Sequence, residues 1–151
     1  LHLLESGCFS RVVVMVQKEA AQRICAAPGD KNYCALSAQV AWMAQPRVIL
    51  EVSRDRFVPQ PQVDSVVLRL DARPDREEGE RKRGFRAIRA AFANRRKTLV
   101  NGLCLEYGRA LTKAQAEAIV TALGHPAAVR GEALSAEELA DLAGTLEKAL
   151  A

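Results

Sequence analysis

A nine-residue stretch with two closely spaced prolines, residues 57–65 (FVPQPQVDS), constrains the fold more than any other part of the chain. It separates two short apolar runs rich in β-branched residues, 48–52 and 66–70, which are typical of buried strands. The prolines cannot donate backbone hydrogen bonds, so the stretch cannot be a central strand. It therefore predicts a stiff connection between two strands. Phe57, at its entrance, can face a ligand or cover the edge of the sheet.

The chain before this stretch alternates between strand and helix patterns. Residues 11–16 form an apolar run with almost no polar face, which predicts a strand buried on both sides, as in a parallel sheet. Short helices are predicted over residues 17–27 and 35–44. Three strands are too few to complete such a sheet, and the chain opens on Leu1 rather than on methionine. We therefore expect a piece of a longer protein.

The composition changes at residues 71–80, which contain a proline and a glycine but almost no apolar side chain. We predict a linker there. It would join an α/β domain over residues 1–70 to an all-α domain over residues 81–151.

The predicted all-α domain carries recognisable helix signals. Apolar residues between 85 and 103 share one face if a single helix runs through them, and the sequence leaves open whether Asn94 interrupts it. Thr112 is predicted to cap the next helix. Ser135 and Glu138 have the spacing of a capping box, which predicts the start of the last helix.

Composition argues against several classes of protein. No run approaches the roughly 20 apolar residues of a membrane span, and no signal-type segment opens the chain. The four cysteines lack metal-ligand spacing, and we interpret them as small apolar side chains in a reducing compartment. Two histidines, far apart in sequence, offer little for a histidine-centred catalytic arrangement. We expect a cytoplasmic monomer with no metal and no membrane contact.

Positive charge is concentrated in residues 81–97, called the basic segment below. It contains eight lysines and arginines and no acidic residue, whereas the rest of the chain holds 14 basic against 18 acidic residues. Because the segment contains no acid, we expect no i,i+4 ion pair to neutralise it. Arginine matches phosphate oxygens bidentately, so we predict contact with a nucleic-acid backbone rather than a merely solvated face. The predicted RNA-binding residues are Lys82, Arg86, Arg89, Arg95, Arg96, Lys97 and Asn101.

Carboxylates elsewhere are dispersed, and their spacing pairs none of them as an acid–base couple. Gln17, Lys18 and Glu19 follow a strand end, where α/β enzymes place site residues. The same residues also suit the first turn of a helix, whose dipole favours Glu19. The sequence leaves both interpretations open.

Five motifs are similar, in the same order, to those of the ribosomal RNA adenine dimethyltransferases. They are MVQKE with Arg23 (15–23), YCALS (33–37, with Cys34 where the family has glycine), FVPQPQVDS (57–65), FANRRKTLVN (92–101) and RGEALS (130–135). Each match alone is weak evidence for the family, but five matches in the family's order are highly specific. The last two favour the small-subunit enzyme, the type linked to kasugamycin sensitivity.

The resemblance implies the C-terminal part of a Rossmann-like methyltransferase sheet followed by a small helical domain. The methyl donor would be S-adenosylmethionine, and the substrate two adjacent adenines near the 3′ end of small-subunit ribosomal RNA, in the pre-30S particle. Phe57 would stack on the target adenine. The family's donor-binding motifs match nothing here, so we expect the cofactor-binding residues upstream of Leu1 and no activity from the 151-residue chain alone.

The sequence also allows two other functions. A non-catalytic RNA- or ribosome-binding module would need the basic segment but not the proline-rich connection. A large-subunit methylase of the antibiotic-resistance type shares the first motifs and differs in which ribosomal RNA it methylates. Mitochondrial transcription-factor relatives are a more distant option.

Overall fold

The computed structural model describes residues 1–73 and 77–150, which belong to two units, Leu1–Asp75 and Arg76–Ala151. The predicted linker, 71–80, is shorter than expected because the last strand runs to Ala72 and the next helix begins at Glu78. Its residues 74–76 lie outside the described part of the chain.

The first unit contains three strands and three α-helices among its described residues. Its elements are α1 (His2–Glu5), β1 (Arg11–Gln17), α2 (Lys18–Ile24), α3 (Ala35–Met43), β2 (Ala44–Val52), a 3₁₀ turn (Arg54–Arg56) and β3 (Ser65–Ala72). The strand order is β1-β3-β2, and β3 is antiparallel to both neighbours. Strands β1 and β2 therefore run in the same direction, and their carboxyl ends meet at the amino end of β3.

The sheet buries one face only, so the prediction that residues 11–16 are buried on both sides is wrong. Helices α2 and α3 cover the face that carries Val12, Leu68 and Leu70. Side chains alternate across a strand, and Val13 and Met15 of β1 are 59% and 54% exposed on the other face. The apolar residues of a strand do not show whether another element packs against its second face.

Strand β2 also departs from the predicted buried strand. Val48, Ile49 and Leu50 are each more than half exposed. The pairing with β3 shifts between Val48 and Leu50, which leaves Ile49 at a bulge. A bulge cannot be recognised from the apolar letters around it.

The YCALS motif joins α3 to α2 through a buried serine. The Ser37 hydroxyl donates to the carbonyl oxygen of Arg23 and accepts from the backbone N–H of Cys34 at 3.0 Å. Tyr33 is buried beside it. Cys34 has φ −154°, an ordinary extended conformation, so its backbone does not require the glycine of the family pattern.

The cysteines do not all fill the core. Cys8 and Cys25 are exposed, which contradicts their interpretation as buried apolar side chains, while Cys34 and Cys104 are half-buried. All four thiols are free.

Helices and the turns that join them make up the described residues of the second unit. Its elements are α4 (Glu78–Phe92), α5 (Leu99–Tyr107), α6 (Lys113–Ala122), α7 (Ala136–Leu150) and 3₁₀ turns at Gly108–Ala110 and Gly131–Ala133. Asn94 does interrupt the helix after Phe92: its side-chain oxygen accepts from the backbone N–H of Arg96 at 3.2 Å, a local bond that competes with the helical ladder. Thr98 then caps α5 by accepting from the N–H of Asn101.

The core of this unit forms where α4 packs on α5 and α7. Its fully buried side chains include Ile88, Leu99, Leu103, Leu139, Leu142 and Leu146. The predicted caps are confirmed: Thr112 forms a capping box with Gln115. Ser135 forms the second one with Glu138, whose carboxylate accepts from the Ser135 N–H at 2.7 Å.

The Glu138 carboxylate makes the start of α7 sensitive to acid. The hydrogen bond from the Ser135 backbone N–H, helped by the Ser135 hydroxyl and by His125, holds the pKa of Glu138 below its ordinary value. The ionised Glu138 carboxylate therefore stabilises the folded unit fully above the pKa that Glu138 has in the unfolded chain. This stabilisation is lost as pH falls through the pKa of Glu138 in the folded unit. We expect Glu138→Gln to lower the free energy of unfolding by about 0.5–1 kcal/mol at pH 7. The difference should shrink below about pH 4.

Urea unfolding at pH 7 and at about pH 3.5 checks this. Asp141→Asn, on an exposed position of the same helix, is the matched control and should change little at either pH. An equal loss for Glu138→Gln at both pH values would contradict a role for the ionised carboxylate.

Candidate functional site

An open cleft lies where the three strand ends of the first unit meet. Its volume is about 600 Å³. Helix α2 contributes Lys18, Glu19 and Gln22 to its lining. The rest comes from the connection between β2 and β3, namely Ser53, Arg54, Gln62, Val63 and Asp64. The carboxyl ends of parallel strands are where α/β sheets place ligand sites, and we call this the strand-end cleft.

Hydrogen bonds close the base of the connection between β2 and β3, residues 53–64, called the proline connection below. The Arg54 N–H donates to the Asp64 carboxylate at 3.0 Å, and the Arg54 guanidinium donates to the carbonyl of Gln62 at 3.1 Å. The Lys18 N–H donates to the carbonyl of Asp64 at 2.9 Å. The MVQKE and FVPQPQVDS motifs, far apart in sequence, therefore meet at one edge of the sheet.

Phe57 lies near the tip of the proline connection, at the end of the 3₁₀ turn. Its ring is half-buried, its N–H donates to the carbonyl of Arg54 at 3.4 Å, and the neighbouring Val58 is fully exposed. The lining of the strand-end cleft comes from residues on either side of Phe57, and the ring is not part of that lining. Its stacking on adenine stays a prediction.

Lys18 forms an ion pair that reinforces its positive charge. Its ammonium group lies 2.8 Å from the Glu51 carboxylate. The hydrogen bond and the charge of Glu51 raise the pKa of Lys18 above its ordinary value. Lys18 therefore stays cationic at neutral pH, and it can attract an anion but cannot accept a proton. The sequence did not single out Glu51 or Arg54; the only signal for them was their place beside the two motifs.

The basic segment is less free than its sequence indicates. The prediction that no i,i+4 pair neutralises it is wrong for Lys82, which pairs with Glu78 one turn earlier, and at least four further cations pair with more distant glutamates. The pairs are Lys82–Glu78 (2.6 Å), Arg83–Glu147 (3.0 Å), Arg86–Glu106 (3.3 Å), Arg89–Glu106 (3.3 Å) and Arg95–Glu132 (3.1 Å). These pairs reduce the positive potential along α4.

Arg86 is held on two sides at the end of this network. Its guanidinium lies 4.1 Å from the centre of the Tyr107 ring and also donates to the backbone carbonyl of Glu106 at 3.2 Å. Arg86 therefore has a structural role in holding α4 against the end of α5. Exposed ion pairs are weak, so phosphate can still compete for the neighbouring Arg89.

The two late motifs are joined by direct contacts. Glu132 accepts two hydrogen bonds from the Arg95 guanidinium, at 3.1 and 3.2 Å, and the N–H of Leu99 donates to the carbonyl of Val129 at 2.8 Å. The FANRRKTLVN and RGEALS sequences therefore form one structural feature. Within it, Arg95 connects the two motifs.

Arg96 and Lys97 differ from the rest of the basic segment. Both are exposed, and neither side chain forms an ion pair within residues 1–73 and 77–150. They lie in the turn between α4 and α5, residues 93–98, called the basic turn below. The side chain of Asn101 is exposed on the first turn of α5 beside them. The strongest uncompensated positive charge of the segment is therefore at this turn.

The described part of the chain offers neither a metal-ligand cluster nor a membrane-spanning helix. No three histidine, cysteine, aspartate or glutamate side chains there come together as metal ligands. None of the described helices combines the length and apolar character that crossing a membrane requires.

Solved structures share this architecture. A dimethyladenosine transferase from Plasmodium falciparum superposes with a TM-score of 0.79 at 23% identity, over 98% of this chain and 62% of that one. The 23S rRNA methyltransferase ErmE superposes with a TM-score of 0.65 at 20% identity, over 95% of this chain and 57% of that one. The predicted fold class, part of a Rossmann-like methyltransferase sheet followed by a helical unit, is confirmed.

Sequence comparisons give the family. The small-subunit ribosomal RNA methyltransferase A of Streptococcus sanguinis is 42% identical over 97% of this chain and 52% of its own length. That of a Geobacillus species is 40% identical over 92% of this chain and 49% of its own length. The chain thus spans about half the length of the curated relatives it matches. A profile named "Ribosomal RNA adenine dimethylase" matches residues 1–138, and the chain belongs to that family.

Proposed function

We propose that this chain serves in the dimethylation of two adjacent adenines near the 3′ end of small-subunit ribosomal RNA, during ribosome biogenesis. The observation that carries the proposal is the meeting of two family motifs at the strand-end cleft, through Lys18, Arg54 and Asp64. The relatives' names, small-subunit methyltransferase A, support the choice of subunit.

S-adenosylmethionine would supply the methyl group. The residues described here do not fit the donor itself. Strand β1 passes directly into α2 at Gln17 and Lys18 with no glycine at the junction, so the backbone offers no bare approach for a ligand there. In the adjoining cleft, Arg54 already bonds Gln62 and Asp64, and Lys18 is paired with Glu51. We therefore assign the cleft to the RNA side of the reaction.

Phe57 is proposed as the residue that stacks on the target adenine. A base attacked at its exocyclic amine has to leave the helical stack, and contact with an aromatic ring offsets part of the cost. The hydrogen bonds of Arg54 and Asp64 close the connection that carries Phe57, which limits how far the ring can move. The proline connection therefore contributes by orienting the Phe57 ring towards the adenine, not by taking part in the methyl transfer.

The basic turn is proposed as the main RNA contact. Arg96, Lys97 and Asn101 offer donors free of carboxylate partners in the described structure. The other predicted RNA-binding residues, Lys82, Arg86, Arg89 and Arg95, would contribute less because each is paired with a glutamate. The proposed partner is small-subunit RNA in a pre-30S particle, bound by a monomer.

A chimera tests the reaction. This chain replaces the half of the Streptococcus sanguinis relative that it matches, and the chimera is incubated with S-adenosylmethionine and immature ribosomal subunits. We expect N6,N6-dimethyladenosine in small-subunit RNA by mass spectrometry of the digested RNA. The remaining half of the relative, without this chain, is the control and should give none.

Two results of this experiment would contradict the proposal. Dimethyladenosine in large-subunit RNA would assign the chain to the antibiotic-resistance type. RNA binding without any methylation by the chimera would favour a non-catalytic module.

Two double variants separate free cations from paired ones. Arg96→Ala with Lys97→Ala should lower the affinity for ribosomal RNA about tenfold and reduce the slope of log affinity against log salt by about 2. Arg86→Ala with Arg89→Ala removes the same charge but should change the slope by less than about 1, since these guanidiniums already face Glu106. Fluorescence anisotropy across a salt series measures both. Equal slopes for the two variants would mean that the ion pairs do not restrict contact with phosphate.

A further inference from the structure

A pocket of about 340 Å³ opens beside the basic turn. It is lined by Asn94, Lys97, Asn101, Gly102 and Leu105. This volume lies within the range of small-molecule sites and is large enough for one nucleobase with part of its sugar. We call it the turn pocket.

The turn that forms one wall of the pocket is fixed by its own hydrogen bonds. The Asn94 side-chain oxygen accepts from the N–H of Arg96, and the N–H of Lys97 donates to the carbonyl of Asn94 at 3.0 Å. The oxygen of the Asn94 amide is thus occupied, which leaves its NH₂ group as a donor. Thr98 caps α5 next to it. The wall is formed before any ligand arrives.

The opposite wall combines an amide with an apolar surface. Asn101 and Leu105 are four residues apart on α5 and therefore share one face. Leu105 is 73% exposed, an unusual position for a large apolar side chain in a unit that buries its other α5 leucines. The Asn101 amide has no hydrogen-bond partner in the described structure and offers both a donor and an acceptor.

The charge at the pocket selects an anionic ligand. No carboxylate lines it, and Lys97 does so without an ion pair in the described structure. Glu106, which follows Leu105 in the chain, faces Arg86 and Arg89, and Glu132 of the RGEALS motif faces Arg95. A phosphate alone would use the cation but not Leu105 or the amides. An unpaired nucleotide uses all three, since its base has a flat apolar face and a hydrogen-bonding edge.

We propose that the turn pocket binds one unpaired nucleotide of a folded RNA. The base lies against Leu105 and bonds the amides of Asn94 and Asn101, and the flanking phosphates contact Lys97 and Arg96. The inference rests on the proposed RNA binding and adds a requirement to it: the bound RNA presents a bulged or looped-out base at this site, distinct from the adenines to be methylated.

Three RNA duplexes test this with the 151-residue chain at constant salt: a fully paired blunt duplex, the same duplex with one bulged adenosine, and one with an abasic bulge. We expect the bulged duplex to bind about tenfold more tightly than the paired one, as one base contact would provide. The abasic bulge should bind like the paired duplex. Anisotropy titrations measure all three.

Asn101→Ala and Leu105→Ala should each remove most of the preference for the bulge, and Leu105→Ala should leave binding of the paired duplex unchanged. Both side chains are exposed, and the Asn101 backbone N–H that bonds Thr98 is retained, so the helix is preserved. Leu3→Ala, an exposed leucine of the other unit, is the matched control and should keep the preference.

Three other results would contradict either the nucleotide pocket or the RNA binding on which it rests. Equal affinity for the three duplexes, or a bulge preference that survives both substitutions, overturns the nucleotide pocket and leaves the proposed RNA binding in place. A glutamate-rich peptide that competes as well as the bulged RNA would mean that the pocket selects charge and not a base. Absence of any salt-dependent RNA binding overturns the RNA contact and the pocket together.

Discussion

Gly131→Ala is expected to destabilise the helical unit by roughly 2–3 kcal/mol, the upper part of the range for overpacking a core. A Cβ at Gly131 would collide with the carbonyl oxygen of Ala91 and lie 2.7 Å from the Ala91 Cβ. The backbone of α4 therefore has to move away from the 3₁₀ turn that contains Gly131. That turn also carries Glu132, so the Arg95–Glu132 ion pair is disturbed as well.

Urea unfolding of the 151-residue chain, followed by far-ultraviolet circular dichroism, measures this loss. Gly144→Ala is the matched control: a Cβ there meets nothing within 4 Å, and the position is inside α7. That variant should be more stable by about 0.5–1 kcal/mol, since alanine is the better helix former. If Gly131→Ala unfolds at the same urea concentration as the unmodified chain, α4 and the turn are less closely packed than the structure shows.

The sequence was sufficient where the determining interactions are local. The caps at Thr112 and Ser135 depend on residues three positions apart, and both were predicted correctly. The proline-rich stretch was correctly predicted as a connection because proline cannot donate to a sheet. Part of the fold class rested on the family motifs, since propensity alone gives strands and helices but not their order in the sheet.

Long-range pairing is what the sequence could not supply. Glu106 is 20 residues from Arg86, and Glu132 is 37 residues from Arg95, so no pattern within the basic segment announces either partner. For the same reason Gly131 carried no visible signal: its role is set by the approach of Ala91, 40 residues earlier. The distinction between Arg96, which is free, and Arg95, which is paired, follows only from the packing of α4 against the 3₁₀ turn.

The strand-end cleft shows the same limit for the candidate site. Residues 17–19 and 57–65 were singled out separately, and nothing in their spacing says that the N–H of Lys18 bonds the carbonyl of Asp64. Once β3 lies between β1 and β2, this contact follows, because the end of β1 and the start of β3 are paired neighbours. The strand order therefore brings residues 17–19 and 57–65, each a weak signal in the sequence, together at the strand-end cleft.

Phe57→Ala in the chimera is expected to lower the single-turnover rate of methylation between about fivefold and a hundredfold, the range that loss of one base–aromatic stack allows. The affinity for RNA should stay within about twofold, because phosphate contacts at the basic turn supply most of it. Phe57→Tyr keeps the ring and should restore the rate. Val58→Ala, at the fully exposed neighbouring position, is the matched control and should leave both quantities unchanged.

The combination of these variants distinguishes stacking from packing. Phe57 is half-buried, so alanine also removes apolar contact, and a purely structural role would lower the urea midpoint and the rate together. Stacking on the adenine predicts a rate loss with an unchanged midpoint at the assay temperature, and rescue by an aromatic ring but not by leucine. If Phe57→Ala leaves the turnover rate unaltered, Phe57 only covers the edge of the sheet and does not stack on the adenine. The hydrogen bonds that Arg54 makes with Asp64 and Gln62 would then shape the cleft without orienting the Phe57 ring towards the substrate.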